Sequence, residues 1–323
     1  MKLIGFLFVV AAALLIAPAL VQAQTFCFTA ADNNDWNDPD NWEDACVGGD
    51  PLNDVPSNTD VVQICDDVVA VISNTSAVAY SINVSDSSTG ALEITPSQSS
   101  AATLTLGSGE SGPIQHVILG PVILNESVSG NDATIVLAAV SHIFKGFGIG
   151  EVVGKSSAAE ISIATTGMAL TSDGTLIRGA LQITGDADFY NYGVVQADAN
   201  GTLAIRVDGF LKDSAAGVSV AERWKATAPP SGTSILLFDG TFDFGPNPVT
   251  SLASHFVINS ASAKITIDAT PGPSGDFTTT GRLKLSAGVL EALEDAVFGS
   301  GSNFLDMSGG TITVAAGKTF THS

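Results

Sequence analysis

The apolar and small polar residues of this chain alternate in short runs rather than in long helical stripes. From Val61-Val62-Gln63-Ile64 onward, such runs fall at residues 91–95, 103–106, 117–124, 134–137, 160–164, 175–184, 194–197 and 203–207. They continue at 234–238, 264–268, 282–285, 288–292 and 311–315, most of them bounded by Gly, Asn, Asp or Ser clusters. Period-two alternation between turn residues predicts half-buried strands. The best helical candidate is residues 215–227, an irregular stretch before Pro229-Pro230 that is expected to bulge out from the strands.

Two of the runs repeat at one offset. Gly179-Ala180-Leu181-Gln182-Ile183 returns 22 residues later as Gly201-Thr202-Leu203-Ala204-Ile205. Ser286-Ala287-Gly288-Val289-Leu290-Glu291-Ala292 returns, again 22 residues on, as Ser308-Gly309-Gly310-Thr311-Ile312-Thr313-Val314. A glycine turn followed by an alternating strand, recurring every ~20–30 residues, is how a β-solenoid is written. An antiparallel β-sandwich is the competing all-β architecture, but it has no reason to keep such a period and would show tight two-residue hairpins. The expectation is therefore an all-β, right-handed parallel β-helix. About 270 residues at roughly 22 per coil and ~4.8 Å per layer would make about a dozen coils.

The two ends differ from this body. Met1-Lys2-Leu3 opens a basic start, an apolar run follows to about Leu20, and Val21-Gln22-Ala23 supplies the small-residue pattern of a cleavage site. Residues 1–23 thus read as a signal peptide, leaving an exported chain with no membrane insertion after cleavage. Residues 24–60 read as an N-terminal cap, polar and turn-rich, with Trp36 and Trp42 to cover an open sheet edge. Residues 61–323 read as the solenoid. The last residues, Thr319-Phe320-Thr321-His322-Ser323, follow a strand pattern without a cap or sorting tail, as in a C-terminally truncated chain.

Charge narrows the partners. The chain carries 33 acidic and 12 basic residues, a net charge of −21, so nucleic acid and anionic membrane surfaces are not expected partners. A secreted or cell-surface location, facing a surface glycan or a protein, is the expectation. Cys27, Cys46 and Cys65 allow one disulfide and one spare thiol in an oxidising compartment, with the pair left open. Asp32, Asp35, Asp38 and Asp40 crowd hard oxygen donors into one loop and are weak Ca²⁺ candidates. The EF-hand glycine and terminal glutamate are missing, so turn capping without metal is the plainer expectation.

Trp36-x-Asp38-Pro39-x-Asn41-Trp42, followed by Val55-Pro56-x-x-x-Asp60-Val61-Val62-x-Ile64, resembles the opening of bacterial secreted adhesin-like and autotransporter-type parallel β-helix proteins. Phe189-Tyr190-Asn191-Tyr192-Gly193-Val194-Val195 resembles their F-x-N-x-G-x-[VI] coil element. The resemblance implies a capped β-helix with a structural or adhesive role and leaves the ligand open. Asn58-Thr59-Asp60 with Asp66-Asp67 is similar to polygalacturonase carboxylate motifs, but only five residues separate Asp60 from Asp66 and the companion G-H-G and R-I-K motifs are absent. Asp60 reads as the turn residue before the first strand. Arg178 and Arg206 lie on strands near acidic turns, where a solvated or salt-bridged face is the plainer reading. His116, His142, His255 and His322 show no paired-ligand spacing. No catalytic residue and no resident cofactor is expected. For a carbohydrate-binding or polysaccharide-degrading alternative, Tyr190 and Tyr192 beside Asp186 and Asp188 are the local glycan-contact candidates.

Overall fold

The computed structural model describes residues 24–322 except 74, 86–89, 108–111, 214–221, 243–251, 253, 272–276 and 300–304. Residues 1–23, the expected signal peptide, lie outside the described residues. Everything described is strand, turn or irregular, apart from a single 3₁₀ turn at Pro39–Asn41. The strands form three parallel ladders visited in rotation, a solenoid-like stack.

The first ladder runs through Thr25–Phe28, Val61–Ile64, Ser81–Val84, Ile114–Ile118, His142–Lys145, Ala169–Asp173, Asp188–Asn191 and Leu211–Asp213. It resumes at Phe277–Thr279, Ala296–Phe298 and Phe320–His322. The second passes Val69–Ser73, Ala91–Thr95, Pro121–Leu124, the starts of Glu151–Ile163 and Leu176–Gly185, then Val194–Ala197 and Glu222–Ala226. The starts of His255–Ile267 and Leu283–Ala292, and then Leu305–Met307, complete it. The third takes the far ends of those long strands, together with Ser76–Ala79, Ala102–Leu106, Ala133–Leu137, Gly201–Val207, Ser234–Phe238 and Thr311–Val314.

The one antiparallel ladder among these strands is Cys27↔Glu43 and Phe28↔Trp42 at the N-terminal end. That rules out the antiparallel sandwich. The 22-residue repeats are register partners, Leu181 opposite Leu203 and Leu290 opposite Ile312. Their glycines, Gly179, Gly201, Gly288 and Gly310, all have positive φ at the corner between the second and third ladders. At Gly179 a Cβ would meet the Gly154 carbonyl oxygen at 2.1 Å, so only glycine fits there. Elsewhere the spacing breathes. Ile177 pairs with Val195, 18 residues on, whereas Leu203 pairs with Leu236, 33 residues on. Corner loops absorb the extra residues, and among the described residues the second and third ladders each hold ten rungs rather than the expected dozen.

Alternation sends Val, Leu, Ile and Phe inward, and each such side chain buried contributes about 1.5–3 kcal/mol. Aliphatic residues fill the early rungs. Later rungs carry an aromatic column in which Trp224 stacks on Phe256 and Phe256 meets Phe298 edge-on. Trp36 and Trp42 close the N-terminal end, with the Trp42 indole donating to the Trp36 carbonyl at 2.8 Å. Segment 34–36 pairs alongside Val71, and Thr25–Phe28 already lies in register with Val61–Ile64. The stack therefore begins inside the segment read as a cap.

The expectation of a helix over 215–227 fails where it is described, because Glu222–Ala226 is a strand of the second ladder. Arg223-Trp224-Lys225-Ala226 alternates cation and apolar residue, and the pairings of Trp224 with Val195 and Phe256 override the helix-favouring composition upstream.

Candidate functional site on the second ladder

The corner from the first to the second ladder is built from stacked turns. Turn 146–150 lies over 174–175, since Gly148 N–H donates to the Gly174 carbonyl at 2.8 Å, and 192–193 follows on the next rung. At Gly193 a Cβ would stand 2.0 Å from the Thr175 carbonyl oxygen. The missing side chains leave a hollow of about 340 Å³, lined by Gly148, Gly174, Gly193, Tyr192, Arg223 and Lys225, with Gln196 beside them. Phe147 and Ile149, the chain neighbours of Gly148, are 69% and 56% exposed. Phe147 is held at φ +49°, a left-handed backbone that a bulky residue rarely adopts.

Polar chemistry converges on the hollow. Arg223 Nη1 donates to the Gly193 carbonyl at 2.9 Å, which fixes the guanidinium plane, while its buried Nε has no hydrogen-bond partner. Lys225 Nζ lies 3.9 Å from Glu222, which Lys284 also engages. Burial first, and then the Asp213 charge, raise the Tyr192 phenol pKa, so it stays a neutral hydroxyl. The Tyr192 phenol ring and two cations around a shallow hollow can hold a polar ligand. No described carboxyl pair or nucleophile–base pair accompanies them there.

Tyr190 stands differently. Its hydroxyl donates to Asp188 at 2.7 Å, and burial together with that carboxylate raises its pKa strongly. It projects outward from Asp188–Asn191 in the first ladder, whereas Tyr192 has already rounded the corner. Arg178 is forked onto Glu151 (Nε 2.7 Å, Nη2 3.2 Å) and sits 3.5 Å from Asp198, and this pairing raises its pKa. Arg206 bonds Asp239 on the third ladder, so the two arginines do not share a face.

At the N-terminal end, the disulfide joins Cys46 to Cys65 and leaves Cys27 a buried thiol. The three sulfurs lie within 4.8 Å of one another, the one such set of three metal-type ligands among the described residues. Burial and then Asp44 and Glu43 push the Cys27 thiol pKa up, which keeps it protonated and slow to react. The acidic loop is knitted by turns. Asp35 accepts from Asn37 N–H and Asp38 from Asp40 N–H, while buried Asn41 accepts from the backbone of Asp32 and Asn33. Asp60 caps the turn before Val61–Ile64, taking Ser57 N–H at 2.9 Å and the Ser57 hydroxyl at 2.6 Å.

The sequence also hid a buried histidine pair. Ile82 N–H donates to His116 Nδ1 at 3.3 Å, and His116 Nε2 lies 2.9 Å from His142 Nδ1. His142 Nε2 lies 3.1 Å from the Ala138 carbonyl. A carbonyl only accepts, so His142 carries its proton on Nε2 and His116 donates to His142. All four ring nitrogens are then satisfied with both rings neutral. Burial lowers both pKa values, and for His116 the neighbouring His142 adds to it.

Arg223 and Lys225 escaped sequence reasoning because their segment was read as helix. The cation–apolar alternation of 223–226 was the available signal. No family model, curated protein or solved structure matches the chain.

Proposed function

We propose that this chain is an exported, right-handed parallel β-helix serving as a structural and adhesive module of a bacterial cell-surface or extracellular protein, without catalysis of its own. Its mechanism is interfacial: a stiff stack with an apolar interior presents small polar and charged side chains along its length. The observation that carries the reading is the parallel pairing that runs, with local register shifts, through ten rungs of the second and third ladders among the described residues. A glycan-array and polysaccharide-depolymerisation screen on the purified chain, with and without calcium, tests it. Binding without turnover is expected. Turnover would overturn it in favour of an enzyme, and a calcium requirement removed by substituting Asp32, Asp35, Asp38 and Asp40 would assign that loop a metal.

A second reading, carbohydrate binding as the central role, is favoured by the hollow at Tyr192, where an aromatic ring and two cations face one concavity. Loss of glycan retention in Tyr192→Ala, with the Tyr190→Ala variant unaffected, would support it.

A further inference from the structure

We propose that the outward side of the second ladder, from Glu151 to Asp306, binds an acidic polysaccharide. In this arrangement carboxylate or sulfate groups seat against Arg223 and Lys225, and a sugar ring lies against Tyr192. The inference rests on the carbohydrate-binding reading and names its ligand class.

Register supplies the first observation. Arg178, Gln196, Lys225, Val257, Lys284 and Asp306 are successive partners in one column, a rung apart. Arg223 and Arg282 flank that column on the same side. Among the described residues this stretch carries five cations (Arg178, Arg223, Lys225, Arg282 and Lys284) against four carboxylates (Glu151, Asp198, Glu222 and Asp306). Asp213 and Asp173 also act on Tyr192, so what marks this face is the gathering of five of the chain's 12 basic residues rather than a net positive charge. The rest of the molecule repels a polyanion, so this face decides where one lands.

The charges are unevenly neutralised. Arg178 is shared between Glu151 and Asp198, and Arg282 bonds Asp306 at 2.9 Å. A single carboxylate, Glu222, serves both Lys225 and Lys284. Arg223 makes no ion pair with a described carboxylate, and its guanidinium is already oriented by Gly193. The least neutralised cations of the face are therefore Arg223 and Lys225, the two that line the hollow. His255, one rung below, sits among cations of the same face: after burial, Lys284 and Arg282 lower its pKa while Glu222 opposes them. An oriented guanidinium is the fitting donor for carboxylate or sulfate. The Tyr192 ring, which lines the same hollow, offers an apolar platform for a pyranose face.

The test titrates the full chain with polygalacturonate, its methyl ester, chondroitin sulfate and dextran. Both acidic polymers are expected to bind, with the ester and dextran at least about tenfold weaker. R223Q and K225Q should each weaken the acidic polymers about fivefold or more, while K264Q on the third ladder changes nothing, each variant melting at the parent temperature. K225Q alone carries the test if R223Q fails to fold, since the Lys225 ammonium faces the Glu222 carboxylate whereas Arg223 holds the Gly193 carbonyl. Equal binding of polygalacturonate and its ester would sink the acidic ligand and leave carbohydrate binding standing. Acidic binding indifferent to both substitutions would sink the location. Silence on all four polymers would sink this proposal and the carbohydrate reading together.

Discussion

The first and third ladders are stacked on the same principle yet filled with different chemistry. Inward positions of the third are Ala77, Leu104, Ile135, Ile161, Ile183, Leu203, Leu236, Ile265 and Leu290 with their neighbours, apolar apart from Ser234. Inward positions of the first include His116, His142, Ser172, Asn191, Asp213 and Thr279, all buried. Several of these hold the turn into the second ladder. Ser172 Oγ donates to the Thr175 carbonyl at 3.1 Å, Asn191 accepts from Gly193 N–H at 3.2 Å, and Asp213 accepts from the Trp224 indole at 2.7 Å and from Ser254 N–H at 3.2 Å. The third ladder stabilises the stack by burial, while the first spends inward positions on satisfying corner backbone that would otherwise be buried without partners.

Breaking the apolar ladder should have the largest effect. Leu203→Ala, in a fully buried position between Leu181 and Leu236, is expected to cost about 3 kcal/mol by transfer and cavity terms, read as a lower urea midpoint. Asp213→Ala comes next, at about 2 kcal/mol, because the Trp224 indole and Ser254 N–H lose their acceptor. If a ladder of serines, asparagines and aspartate were only tolerated filler, that variant would melt like the parent.

Acid sharpens the contrast through the histidine pair. Both folded pKa values lie below the ordinary histidine value, so at neutral pH neither the folded nor the unfolded chain is protonated there and the full stability is present. As pH falls below about 6.5, the unfolded chain takes up protons that the folded one refuses, and stability drops until the folded values are reached. Urea midpoints between pH 7 and pH 4 should show this decline, and the double substitution H116L, H142L should flatten part of it. Cys27 gives a smaller signal: a thiol reagent should leave it unlabelled in the native chain and label it only on unfolding. Thr134→Ser, on the outward side of the third ladder, should stay within about 0.5 kcal/mol of the parent.

The two ladders were also unequally legible. Runs such as 203–207, 234–238 and 264–268 announced the third ladder because their inward side is uniformly apolar and alternation alone marks it. His142–Lys145, Ala169–Asp173 and Leu211–Asp213 raised no such signal, since a buried His, Ser or Asp interrupts the pattern at the very position that faces inward. Of the candidate site, Tyr192 was legible from its aromatic setting. Arg223 and Lys225 were not, because upstream composition suggested a helix and only pairing with Val195 and Phe256 makes them neighbours of Tyr192.

The chain by itself determined the strand-rich, turn-punctuated character of the protein, the 22-residue register at two places and the glycines that turn those corners. Those features are local, set by alternation and by φ/ψ freedom at single residues. The tertiary structure decided the disulfide partner of Cys65, the meeting of His116 with His142, and the gathering of cations on the second ladder. Each of these joins residues from different turns of the stack, and corner loops of variable length hide their spacing from any fixed period.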